Sequence, residues 1–349
     1  MKEPSFQSIQ WLGSMIRIID QTRLPDEEIY IDLHSPEEVW DAIRKLKVRG
    51  APAIGITGAY GFYLGIKDEK FADVESVIEK SHQIAKYLNS SRPTAVNLNW
   101  ALERLIRLLP ESDETVNSDD LKKNILSEAI AIHEEDRKLC KLIGENGLDI
   151  VPENARILTH CNTGSLATAQ YGTAFSVIYH AYQEGKLKKV WVDETRPLLQ
   201  GSRLTAWELM KAGIPFTLNI DSAAASLMQS GEVDLVITGA DRITANGDTA
   251  NKIGTYSLAV LANAHKIPFY IAAPYSTIDL KLEHGDDIEI EQRSSHEVTS
   301  FGERITAPDS IEVYNPAFDV TPHHLITAII TEKGIIKPDY RINLKKVFS

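Results

Sequence analysis

The chain has 349 residues, 43% hydrophobic and 25% charged, values that exclude a disordered or fibrous protein. At roughly 150 residues per domain the length points to two domains, each able to bury a core without disulfide or metal staples. Lys and Arg number 37 against 49 Asp and Glu, and a net charge of −12 argues against a phosphate backbone, so no nucleic-acid partner is expected. A local pocket can still oppose the global sign and hold a small anion.

Residues 1–150 read as a mostly helical N-terminal domain. The opening MKEPSFQSIQWLG lacks the apolar core of a signal peptide. Ser35-Pro36-Glu37-Glu38 is a capping box with proline at the first helical position, predicting a helix through Leu46. The uncharged stretch GAPAIGITGAYGFYLGI, between Arg49 and Lys67, is short for a membrane span and predicts a buried, tightly packed helix. No membrane partner and a reducing cytoplasm are therefore expected. Pro93 precedes a segment with Leu98, Leu102, Leu105, Ile106 and Leu109 on one face. A further helix starts near Ser118 and aligns Leu121, Ile125, Ala129, Ile132, Leu139 and Ile143, with Cys140 beside them as a small core residue. Before it, PESDETVNSDD (110–120) reads as a solvated loop.

Residues 151–349 change rhythm. Short β-rich runs occur at 155–160, 188–194, 215–220, 232–240 and 267–273, separated by helix-like segments. This predicts right-handed βαβ crossovers and a Rossmann-like, doubly wound parallel sheet, making the whole chain α/β. Ligands of such sheets sit beyond the carboxyl ends of the strands, where Cys161, Asp193, Asp221, Asp241 and Pro274 stand. Asp193 also reads as a turn residue and Asp221 as an N-cap before SAAASLM. The acidic segment Glu283–Glu291 reads as a solvated edge.

Motifs narrow the chemistry. CNTGSLAT stands where a dinucleotide fingerprint would, no P-loop occurs, and His133-Glu134-Glu135-Asp136 is not a zinc helix. Cys140 and Cys161 have no paired metal spacing, and His323-His324 read as a cap or surface pair, so neither metal nor cofactor is expected. Four segments offer an anion backbone N–H groups or charge: Asn162–Ser165 opening a helix, Asp248–Lys252 before a helix of Ile253 to Leu261, Arg49-Gly50-Ala51, and Arg92.

The strings RGAPAIG (49–55), THCNTGSLAT (159–168), DETRPLLQGSRLTAWEL (193–209), TGADRITANGDTANKIGTYSLA (238–259) and PFYIAAP (268–274) closely resemble the methylthioribose-1-phosphate isomerases of methionine salvage. The fold is shared with the regulatory subunits of translation initiation factor 2B and with ribose-1,5-bisphosphate isomerases. The resemblance implies conversion of 5-methylthioribose 1-phosphate to 5-methylthioribulose 1-phosphate by a homodimer acting on a small sugar phosphate. It places the catalytic pair on Cys161 and Asp241, and substrate contacts on Arg49, Gly50, Ala51, Arg92, Gln200, Asn251 and Lys252. On this reading Asp241 is an acid kept protonated by burial, and Cys161, favoured as a thiolate by a helix N-terminus, is the base or the group that stabilises the transition state. A bisphosphate isomerase and a non-catalytic regulatory subunit are the alternatives.

Overall fold

The structure, a computed structural model, describes residues 4, 6–71, 73–93, 95–110 and 117–348. Most of the predicted solvated loop, residues 111–116, lies outside the described residues. The chain divides into two compact units. One comprises Pro4–Leu139 with Gly164–Gly172, and the other Cys140–Thr163 with the chain from Thr173 onward.

The first unit opens with an antiparallel sheet that the sequence reading did not anticipate: β1 (Ile9–Trp11), β2 (Ile16–Ile19) and β3 (Tyr30–Leu33). Helices follow: α1 (Pro36–Arg44), α2 (Ala51–Leu64), α3 (Val74–Asn89), α4 (Val96–Ile106) and α5 (Ser118–Gly147), whose last eight residues belong to the second unit. Ser35 caps α1 by accepting the Glu38 N–H at 3.3 Å. The Glu38 carboxylate reaches back to the N–H of His34 rather than to that of Ser35, and the helix stops at Arg44 because Leu46 turns left-handed at φ 59°. Helix α2 is buried on nearly every side, as predicted. At Gly55 a Cβ would stand 2.8 Å from the Asn97 carbonyl oxygen, so the bare backbone lets the head of α2 lie beside the head of α4. Ile16, Ile54, Phe62, Leu98, Leu102 and Ile125 form the centre of this core.

The second unit alternates strands and helices: β4 (Ala155–Thr159), α6 (Ala174–Gln183), β5 (Leu187–Asp193), α7 (Ala206–Ala212), β6 (Phe216–Asn219), α8 (Ala224–Gln229) and β7 (Leu235–Thr238). Next come β8 (Arg242–Thr244), β9 (Thr249–Lys252), α9 (Thr255–Ala264), β10 (Phe269–Ala272) and β11 (Ile278–Asp279). After α10 (His296–Thr299) and the hairpin of β12 (Ser300–Phe301) with β13 (Arg304–Ile305), the chain ends in β14 (Phe318–Thr321), β15 (Ala328–Thr331), β16 (Gly334–Ile336) and α11 (Tyr340–Phe348). The main sheet runs β16-β15-β10-β7-β4-β5-β6, parallel except for β16, and its five predicted strands lie inside their sequence runs but for Leu187, which begins β5 one residue early. Strands as buried as β7 carry no alternation, which is why they read as continuous apolar runs.

The order of that sheet matters for function. From β4 the chain walks outward through β5 and β6, then returns to the other flank of β4 with β7 and continues through β10 and β15. The direction therefore reverses between β4 and β7, and the crevice at such a switch point is where open α/β sheets bind ligands. A second sheet, β11-β8-β9-β14, was not read from the sequence. Its central hairpin turns at Asn246-Gly247, with Gly247 at φ 91°. Leu158, Val236, Leu258, Phe269, Ile271 and Ile329 centre this unit's core. Among the described residues, no helix is long and apolar enough to cross a membrane.

Candidate active site

Cys161 and Asp241 leave the carboxyl ends of the neighbouring strands β4 and β7, in a register that pairs Ile157 with Leu235 and Leu158 with Val236. Cys161 is buried and adopts φ 63°, a left-handed conformation that costs a residue with a Cβ about 1–2 kcal/mol. Two threonines hold it there. The Cys161 N–H donates to Thr195 Oγ1 at 2.8 Å, and its carbonyl accepts the Thr205 hydroxyl at 2.6 Å. Thr205 closes a π-helical turn, Gly201–Thr205, a distortion often found at functional sites. The adjacent Asn162 amide donates to Glu208 at 2.7 Å and to Thr205 at 3.2 Å.

The helix expected to open at Asn162–Ser165 is not there. Ser165–Ala167 form a single 3-10 turn and α6 starts only at Ala174, so Cys161 does not stand at a helix N-terminus. Residues 164–172 are instead an excursion that joins the first unit, where Ser8, Gln21 and Asp136 satisfy the backbone of Ser165, Leu166, Thr168 and Ala169. Side-chain partners from distant residues replace the helical ladder.

Asp241 is partly buried, and its N–H donates to the Ala250 carbonyl at 2.8 Å. That bond sets it beside Asn251 in the β8–β9 hairpin. Asp248–Lys252 were expected to lead directly into a helix, but 249–252 form β9 and α9 begins at Thr255, after Gly254 turns left-handed at φ 105°. The Asn251 amide donates to Thr255 Oγ1 at 2.9 Å. Lys252 Nζ donates to the Ala317 carbonyl at 2.8 Å and lies 4.9 Å from the Phe318 ring centre. Gln200 is buried just before the π turn. The second unit thus carries Cys161, Asp241, Gln200, Asn251 and Lys252. Arg49, Gly50, Ala51 and Arg92 belong to the first. There Gly50 precedes α2 with no side-chain cap, and Arg92 lies in the turn before α4.

Beneath the edge lies a network the sequence reading overlooked. His160 is buried, its Nδ1 3.0 Å from Asp193 Oδ2 and its Nε2 2.8 Å from the Ile253 carbonyl oxygen. Asn219 donates to the other Asp193 oxygen at 2.7 Å. Asp221, read as an N-cap, instead accepts the N–H groups of Thr195 and Arg196, both at 2.8 Å, and so secures the loop after β5. Donor atoms of His160, Asp193 and Asp221 lie within 4.8 Å of one another, but both carboxylates already accept hydrogen bonds on each oxygen. The trio is part of an internal polar network. A polar Thr-His pair closing an apolar strand run was the available signal for it. His323 pairs with Asp248 at 2.8 Å on the surface, in keeping with a surface histidine pair.

Comparison with known proteins agrees with this architecture. Residues 47–338 match the model of the Initiation factor 2 subunit family. The chain is 54% identical over 349 residues to a 5-deoxyribose 1-phosphate isomerase of Moorella thermoacetica, covering 100% of this chain and 99% of the relative. It is 53% identical over 342 residues to a methylthioribose-1-phosphate isomerase of Carboxydothermus hydrogenoformans, covering 98% of each. The crystal structure of 5-methylthioribose 1-phosphate isomerase from Pyrococcus horikoshii OT3 superposes with a TM-score of 0.93 at 46% identity, over 98% of this chain and 95% of that one. The chain belongs to the Initiation factor 2 subunit family and is an isomerase of that family.

Proposed function

We propose that this protein converts a 5-substituted ribose 1-phosphate, 5-methylthioribose 1-phosphate first, to the corresponding ribulose 1-phosphate. The observation that carries the reading is the emergence of a thiol and a carboxyl, Cys161 and Asp241, from adjacent strands at the sheet's switch point.

The substrate's anomeric oxygen carries phosphate, so the ring cannot open to a free aldehyde. The Asp241 carboxyl donates its proton to the ring oxygen as the bond from that oxygen to the first carbon breaks. The Cys161 thiolate takes the proton from the second carbon, leaving an enol between the first two carbons. It then returns that proton to the first carbon, while the hydroxyl on the second carbon gives its own proton to the Asp241 carboxylate. Both groups end as they began, and an acid and a base so placed contribute about 10²–10⁴-fold each. A direct hydride shift from the second carbon to the first is the rival route. Solvent deuterium at the first carbon of the product supports the proton route, because a proton held on the thiol can exchange with solvent before it is returned, and its complete absence counts against that route.

Substrate contacts are assigned to Arg49, Gly50, Ala51, Arg92, Gln200, Asn251 and Lys252. The Moorella relative's name supports a second substrate, 5-deoxyribose 1-phosphate. Both substrates leave the fifth carbon without a phosphate. A coupled assay comparing these two with ribose 1,5-bisphosphate tests the reading: turnover of either monophosphate supports it, preference for the bisphosphate overturns the substrate, and no turnover favours a regulatory subunit. A homodimer working in the cytoplasm in methionine salvage completes the proposal, with light scattering in solution as the check on the dimer.

A further inference from the structure

Resting on that reading, we propose that His160 is a positioning residue charged at neutral pH, whose ring, protonated on both nitrogens, locks the Cys161 strand end to the turn that follows Asn251 and Lys252. The Ile253 carbonyl only accepts, so the Nε2 facing it at 2.8 Å carries a hydrogen. A second proton lies between Nδ1 and Asp193 Oδ2, 3.0 Å apart. Its place is on the ring for two reasons. Burial pushes the Asp193 carboxyl up, but the ring's own hydrogen bond and the Asn219 amide, which donates to the other Asp193 oxygen at 2.7 Å, both favour the carboxylate. The charged groups facing the ring are Asp193 beyond β5, Asp221 beyond β6 and Asp319 of β14, with the Cys161 thiol next along its own chain. A neutral ring would leave these acids without a counter-charge in the interior. Burial opposes the charge, but the hydrogen bond to Asp193 and the field of Asp193, Cys161 and Asp221 outweigh it and hold the imidazolium's pKa up at about 9.

The ring is also a mechanical clamp. Gly254 packs directly on it, since a Cβ there would lie 2.8 Å from His160 Cε1. One side chain therefore joins three pieces of backbone: the turn carrying Cys161, the end of β5, and the turn that follows Asn251 and Lys252. His160 is not placed against substrate, so its contribution is geometric and electrostatic.

The test uses the full-length protein with ¹⁵N-labelled histidine. At pH 7.5 both His160 ring nitrogens should resonate as protonated imidazolium nitrogens with slowly exchanging hydrogens. A ring with one bare nitrogen overturns the proposal. In the coupled assay, His160→Gln should lower kcat by about 10²-fold, the scale of a small misplacement of reacting groups. It should also abolish the fall of kcat as pH rises through about 9. Asp193→Asn keeps the shape and withdraws the counter-charge, so it should remove the imidazolium signals and the same alkaline limb even if His160→Gln fails to fold. An alkaline limb unmoved in the folded variants refutes the role. The NMR result stands whether or not the substrate is as proposed, so the two failures are distinguishable.

Discussion

Replacing Thr195 by valine deletes one hydroxyl and keeps the side-chain shape. Thr195 is fully buried, and its Oγ1 accepts the Cys161 N–H at 2.8 Å while donating to the Asp193 carbonyl at 3.1 Å. Valine strands both groups in the interior. At about 1–3 kcal/mol for each buried group deprived of its partner, and allowing for partial relaxation, the expected loss is about 3 kcal/mol. Thr195→Ser keeps both bonds and removes one methyl, worth about 1 kcal/mol. Serine also relieves part of the strain of a β-branched residue at φ 66°. The hydroxyl is thus isolated as a difference of about 2 kcal/mol between the two variants. At about 2–4 °C per kcal/mol, thermal unfolding should place Thr195→Val about 4–8 °C below Thr195→Ser. Cys161 should lose the restraint that keeps it at φ 63°, so the kcat of the valine variant should fall about 10²-fold below that of the serine variant. If the two variants melt together and turn over alike, the argument that Thr195 holds Cys161 is wrong.

Asp241→Asn should retain the circular dichroism of the parent and lose nearly all turnover, and Cys161→Ser should be almost as damaging, the loss in each case being about 10²–10⁴-fold. Substantial activity in either removes that residue from the mechanism. Gly50 sits at φ 92°, and a Cβ there would stand 2.5 Å from Ala167 Cα, so Gly50→Ala should destabilise the first unit by more than the ~1–2 kcal/mol of a left-handed alanine alone. A thermal midpoint equal to the parent's would show that the 164–172 excursion yields freely. Because the hydrogen bond to Asp193 and the field of neighbouring acids, against the opposing effect of burial, raise His160 to about 9 from an ordinary 6.5, its contribution to stability is complete below pH 6.5 and disappears as pH climbs through 9. At 1.36 kcal/mol per unit this amounts to about 3 kcal/mol, so melting temperature should fall across that window in the parent and stay flatter in His160→Gln. Parallel slopes would contradict the assignment.

Local physics made much of this molecule readable. Helix α1 was announced by Ser35 and Pro36, which satisfy its first N–H groups whatever surrounds them. The parallel strands were readable because burial on both faces demands unbroken apolar runs, as in Leu235–Thr238. Short strands of mixed polarity carry no such mark. Thr249–Lys252 read as a helix approach, although Asn246-Gly247 before them is a hairpin signal. The excursion of 164–172 was unreadable for another reason: its backbone is satisfied by Ser8, Gln21 and Asp136, far away in sequence.

The sequence by itself determined which residues would stand at strand ends, because an apolar run must stop where its polar successor begins. Only the tertiary structure decided which of those ends are neighbours. His160 meets Asp193 and Ile253, 33 and 93 positions away, because β5 lies beside β4 and the β9–α9 turn folds over their ends. Strand order follows from how a whole sheet buries its two faces, and no short window of residues encodes that.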